Sequence, residues 1–168
     1  VNIPELKDPG QESNPSHPNN VPPKVTGGYL LEWDFRKGAD KNVTAGSRGY
    51  VGIKEPENES DDEGISQQQV NYINNYLDRT DKALFGSGFK DDATGWRKFI
   101  DIRSAVDYYI AMELMKPVDG NMWASVYMYK PRGEKIHFGP MWDFDLAAGS
   151  ATRAGNVAST SGFYLRNN

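Results

Sequence analysis

Apolar and polar positions follow regular rhythms in five stretches of the chain, and each rhythm predicts an element. Tyr29-Leu30-Leu31-Glu32-Trp33-Asp34-Phe35 is rich in β-formers and reads as a strand; Tyr50-Val51-Gly52-Ile53-Lys54 reads as a shorter one. Val70, Ile73, Leu77 and Leu84 recur near helical spacing, with Tyr72 and Tyr76 alongside. Ser66 precedes that run with Gln69 three residues on, a capping box, and Gly86-Ser87-Gly88 stops the helix. Ile102, Val106, Tyr109, Ile110 and Leu114 form one apolar stripe, the face expected to pack inward on a second helix over about 101–116. Asp101 is placed to cap it and Pro117 to end it. From Trp123 to Lys130 the chain alternates, Val126 and Met128 on one face and Tyr127 and Tyr129 on the other. The turn Pro131-Arg132-Gly133-Glu134 then leads into Lys135 through Phe138, completing a hairpin.

Between these elements the chain is polar. Residues 36–48 are turn-rich, and Glu55 to Glu63 is an acidic loop without EF-hand spacing. Residues 146–168 are rich in Gly, Ala, Ser and Thr and read as loop. Six of the ten prolines lie in residues 1–26, which read as a Pro-rich loop or linker ahead of globular sequence from 27 to 168. Aromatic residues at 12% argue for a packed interior despite a hydrophobic content of only 38%. A length of 168 residues suits one domain or a large piece of one. No apolar run is long enough to span a membrane. The absence of Cys excludes disulfides and thiolate chemistry, and two His make a His-rich metal site or a His-dependent triad a poor fit. A net charge of −4 gives no support for nucleic-acid binding.

The remaining candidate chemistry is carried by carboxylates. Gly139-Pro140-Met141-Trp142-Asp143-Phe144-Asp145 follows a predicted strand, and on a continuing strand Asp143 and Asp145 point the same way. Two like charges side by side are tolerated if a cation lies between them or if both face water, and hard oxygen ligands suit Mg²⁺ or Mn²⁺. Trp142 and Phe144 are expected to pack in the core and hold the acids at its surface. Upstream, Pro117-Val118-Asp119-Gly120-Asn121 lies between the second helix and the hairpin that delivers Asp143. Protein kinases use this order: a catalytic-loop Asp that accepts the hydroxyl proton, a short hairpin, then an Asp-Phe-Gly whose Asp holds Mg²⁺. Asp143-Phe144-Asp145 matches that triplet except at its last residue, and no His-Arg precedes Asp119. Glu32 and Asp34 on the first strand read as surface acids, with a place facing the same site as the alternative.

At these residues the chain resembles the spore coat protein H (CotH) kinase-like family. The resemblance runs over about residues 27–150. It is carried by Gly27 to Glu32, Ile53 to Glu57, Tyr108 to Leu114, Asp119 to Tyr129 and above all Gly139 to Asp145. It implies an α+β, atypical protein kinase-like fold, with helices on a small antiparallel sheet or hairpin. By position it makes Asp119 the catalytic aspartate, Asp143 and Asp145 metal positions, and Asn121 or Ser125 the nucleotide–metal contacts. The position five after Asp119, where kinases carry a metal-binding Asn, is Ala124. Neither a Gly-rich phosphate loop nor an obvious kinase lysine stands out, so the chain reads as the C-terminal part of a larger domain. The resemblance implies a secreted or cell-surface bacterial protein using ATP and Mg²⁺ or Mn²⁺ to phosphorylate Ser or Thr of surface or coat proteins. Two other classes stay open: a non-catalytic surface or adhesion module with a kinase-like fold, and an Asp-x-Asp nucleotide-sugar transferase.

Overall fold

The computed structural model describes residues 15–37, 42–44, 49–56, 65–119, 122–150 and 162–165. Strands β1 (Tyr29–Asp34), β2 (Asn42–Thr44) and β3 (Tyr50–Glu55) come first, then helices α1 (Gln67–Phe85) and α2 (Ile102–Met115). The hairpin strands β4 (Val126–Lys130) and β5 (His137–Phe138) follow. The five strands form one antiparallel sheet in the order β2-β3-β1-β4-β5, so the fold is α+β. β2 lies within a stretch expected to be only turns; three residues of mixed polarity are too short for a period to register.

β1 is the central strand and divides the sheet into two faces. Tyr29 and Leu31 point to one side, where Val51, Ile53 and Met128 join Val70, Ile73 and Leu77 of α1 in the main core. Leu31 and Ile73 are fully buried. Removing each from water is worth about 1.5–3 kcal/mol. α1 begins as the sequence predicts. Ser66 Oγ accepts from the Gln69 N–H at 3.2 Å, and the Gln69 side chain accepts from the Ser66 N–H at 2.9 Å. Ser66 Oγ also donates to Asn20 Oδ1 at 2.6 Å, which seats the Pro-rich segment beside the helix start. In that segment Pro18–Asn20 and Lys24–Thr26 form short 3-10 turns, and Val25 is buried. Gly27 then passes so close to the hairpin turn that a Cβ there would lie 2.2 Å from the Arg132 nitrogen.

α2 is capped by Asp101, whose carboxylate accepts from the Ser104 N–H at 2.7 Å. Its rotation corrects the sequence reading. The stripe Ile102, Val106, Tyr109, Ile110 and Leu114 faces outward, with Leu114 77% exposed, while Tyr108 and Met112 are the residues buried. Ser104 fixes that rotation: its hydroxyl accepts from the Phe138 N–H at 3.2 Å, and Tyr108 and Met112 follow Ser104 at four-residue steps on the same side. With Val126 they form a second core cluster, against which Trp33, Phe138, Phe144 and Leu165 pack. Among the described residues no helix is long and apolar enough to cross a membrane.

Candidate functional site

The two acids of the Asp-x-Asp pair lie where the hairpin gives way to irregular chain. β5 ends at Phe138, and Gly139 (φ 121°) followed by Pro140 carries the chain off the sheet. Asp143 then adopts left-handed backbone (φ 64°, ψ 52°), a conformation that Asp tolerates better than most residues, and Phe144–Leu146 form a single 3-10 turn. The expected strand through 143–145 is therefore corrected: Pro140 has no N–H for a ladder, and a turn brings the acids together. Trp142 is 59% exposed, against its expected place in the core, and its ring lies 5.9 Å from that of Tyr127. Phe144 is half-buried and packs against Tyr108, Met112 and Val126.

Asp143 and Asp145 are both exposed, and their side chains are hydrogen-bonding neighbours on this turn. The hydrogen bond to Asp145 holds the Asp143 carboxyl above the usual range; a slight loss of hydration and the charges of Asp145 and Asp119 push the same way. The charge of Asp119 is felt at Asp143, and main-chain bonds tie its loop to the turn. The Val118 N–H donates to Leu146 O at 3.2 Å, and the Ala148 N–H donates to Met115 O at 2.6 Å. The Ala124 N–H closes the loop onto Asp119 O at 3.0 Å, and Ala124 is buried. Ser125 is half-buried with left-handed backbone (φ 53°). Asn121 lies outside the described residues.

The non-core face of the sheet brings further charges to this side. Glu32 of β1 lies opposite Tyr127 of β4, and Lys54 of β3 reaches across to Glu32 at 2.9 Å. Partial burial raises the Tyr127 hydroxyl, and the nearby Glu32 carboxylate adds to the effect. Asp34 is gripped by Arg36 through two contacts, 3.0 Å and 2.8 Å, and that hydrogen bonding holds its carboxyl low. Arg36 in turn feels the charge of Asp119. Phe35 and Trp123 stack at 4.7 Å beside this cluster. The sequence favours surface roles for Glu32 and Asp34, with a place at the site as the alternative, and does not single out Lys54. The available signal was strand alternation, which already put Glu32, Asp34 and Tyr127 on one face once β1 and β4 were paired.

Among the described residues no group of three or more His, Cys, Asp or Glu is disposed to hold a metal ion. The Asp143–Asp145 pair is nonetheless of the right kind for Mg²⁺ or Mn²⁺. Two adjacent hard carboxylates can share a cation, and Mg²⁺ usually takes one or two carboxylates beside phosphate oxygens and water.

An antiparallel α+β domain that ties an Asp-bearing loop to an Asp pair across one hairpin has the order of a kinase-like domain. The sequence model of the family described as CotH kinase protein matches residues 6–168, so the chain belongs to that family. No curated protein and no solved structure matches it.

Proposed function

We propose that this chain is the carboxylate-bearing part of a metal-dependent protein kinase that transfers the terminal phosphoryl group of ATP to Ser or Thr hydroxyls of surface or coat proteins. The observation that supports this reading is the charge of Asp119 felt at Asp143, with the Asp119 loop tied to the Asp143–Asp145 turn by the bonds from Val118 to Leu146 and from Ala148 to Met115. Asp119 would orient the acceptor hydroxyl and take its proton. Asp143 and Asp145 would hold Mg²⁺ or Mn²⁺, which when bound supplies positive charge to the nucleotide phosphates. Lys54, steadied by Glu32, would add a fixed cation on the sheet face, and Ser125 and Asn121 would contact the nucleotide–metal complex from the Asp119 loop. A secreted or cell-surface bacterial location belongs to the same proposal and rests on the family alone.

The test is Asp119→Asn in the full-length protein. Loss of a positioned general base lowers phosphoryl transfer by about 10²–10⁴-fold, while circular dichroism and metal-dependent ATP binding stay as in the wild type. Normal phosphorylation by that variant would sink the assignment. One observation favours a second reading, a non-catalytic module. Buried Ala124 offers no ligand atom where kinases carry a metal-binding Asn. Calorimetry with ATP and Mg²⁺ separates the two, since a scaffold gives no metal-dependent binding. A nucleotide-sugar transferase would need a parallel βαβ unit, and the described sheet is antiparallel throughout.

A further inference from the structure

On the core side of the sheet, away from the carboxylates, a pocket of about 450 Å³ opens between α1, the segment at 98–99 and the β4–β5 turn. Lys130 belongs to this side because it alternates with Tyr127 and Tyr129 along β4. The walls carry Arg79, Lys98, Lys130 and Lys135 against the single carboxylate of Glu134. Four cations to one acid is a marked local excess in a chain of net charge −4.

Three of the four cations are held by rings and carbonyls rather than by acids, and Lys98 lies exposed at the rim. Lys130 is 1% exposed; its Nζ donates to Thr26 O at 2.5 Å and Glu134 O at 2.8 Å, and lies 4.5 Å from the Tyr76 ring centre. The Arg79 guanidinium lies 5.3 Å over Phe99, which meets Tyr76 edge-on at 5.6 Å. The Tyr76 hydroxyl donates to Phe99 O at 3.0 Å, locking that ring pair. Lys135 Nζ donates to Arg97 O at 2.7 Å, which keeps its head at the rim beside Lys98. Among the described residues Arg79, Lys98 and Lys135 make no ion pair, and the Glu134 carboxylate faces His137 at 3.4 Å. Positive charge is thus fixed around a space within the roughly 300–1,000 Å³ range of small-molecule pockets.

We propose that this pocket binds a dianionic phosphate monoester, with Arg79 as the forked donor and Lys98 and Lys135 as flanking charges above Lys130. A carboxylate monoanion would satisfy the Arg79 fork and leave the other cations uncompensated; a phosphate dianion meets both needs. Binding also couples to a proton. Burial brings Lys130 down to about 8. Tyr72, Tyr76 and Arg79 of α1, with Lys98, Glu134 and Lys135, are the other titratable groups facing the space. A dianion there favours charged Lys130, so binding near pH 8 takes up protons. The inference does not rest on the kinase reading.

Calorimetry on the full chain in metal-depleted buffer tests it, with inorganic phosphate and O-phosphoserine as probes and acetate as control. Without metal the Asp143–Asp145 carboxylates oppose phosphate, and Lys54→Gln measured alongside reports any signal from that side. The expected result is saturable binding of at least one phosphate probe, weakened about 10-fold or more by Arg79→Gln with Lys98→Gln, as the loss of charge-assisted bonds requires. Tighter binding of O-phosphoserine assigns the pocket to a carried phosphate; equal binding assigns it to free phosphate. Lys135→Gln, at the exposed rim, serves if the double variant fails to fold. Absence of saturable phosphate binding, equal binding of acetate, or unchanged affinity in the folded variants would overturn the proposal.

Discussion

Replacing Lys130 by Met keeps the unbranched stem inside the Tyr72–Tyr76 wall and removes only the ammonium. Two effects oppose each other. The variant loses charge-assisted bonds to Thr26 O and Glu134 O, and it escapes the cost of holding a cation away from water. Burial lowers the lysine from 10.5 to about 8, so desolvation is the larger influence on its protonation. Because the folded value lies below the unfolded one, the unfolded chain binds more protons between the two. Wild-type stability therefore rises with pH across that window. At 1.36 kcal/mol per pH unit, the wild type should gain about 2 kcal/mol over the Met variant between about pH 7 and about pH 9.5. Tyr76 and Tyr108, both raised to about 12 by burial, contribute little below pH 10. Above it, ionisation of unfolded tyrosines lowers stability in both proteins. Urea unfolding followed by tryptophan fluorescence, repeated in small pH steps, measures the difference directly. Parallel stability curves, or a wild type that loses ground as pH rises, would show that the carbonyls and rings keep the ammonium's affinity for its proton and would refute the reasoning.

Asp145→Asn should lower the Asp143 titration midpoint in metal-free NMR, because it removes a carboxylate hydrogen-bond partner and its charge. The raised Asp143 value also costs wild-type stability as pH rises from 3.8 through it, a loss the variant should lack; an unmoved midpoint counts against the paired geometry. Ser66→Ala should cost about 1–3 kcal/mol in urea unfolding, since it removes a helix cap and leaves Asn20 Oδ1 without its donor; an unchanged midpoint would contradict this. Burial works against Glu113, yet the N–H groups of Tyr164 (2.6 Å) and Leu165 (2.9 Å) hold it below the usual range. Glu113→Gln should therefore speed amide exchange at Tyr164 and Leu165. In the wild type the clamp is present above about pH 4.5 and lost as pH falls through the depressed value.

The helix starts and the hairpin were legible because their signals are local. Ser66 with Gln69, and the alternation from Val126 to Lys130, state their partners within a few residues. The face of α2 was not legible. Its sequence is apolar on two sides, and the choice between them is made by the bond from Phe138 to Ser104, which joins residues 34 apart. The acids were found by motif order, but their meeting was assigned to a pleat when a left-handed Asp143 and a 3-10 turn produce it. The Glu32–Lys54 pair depends on how β1 and β3 align around an irregularity between Leu30 and Leu31, a property of two strands that neither sequence states alone. The basic pocket was missed for the same reason: its four cations come from three separated segments.

The placement of β1 has a consequence for how such a protein can change. Leu31 and Glu32 are neighbours on the central strand, one sealed in the core and the other on the opposite face. A one-residue slip in this strand would exchange them, putting an acid into the interior and a leucine at the site. The chemistry is thereby insured by the packing: an insertion or deletion that misaligned Glu32 would first fail as a fold and be discarded before it could persist as a folded but defective copy.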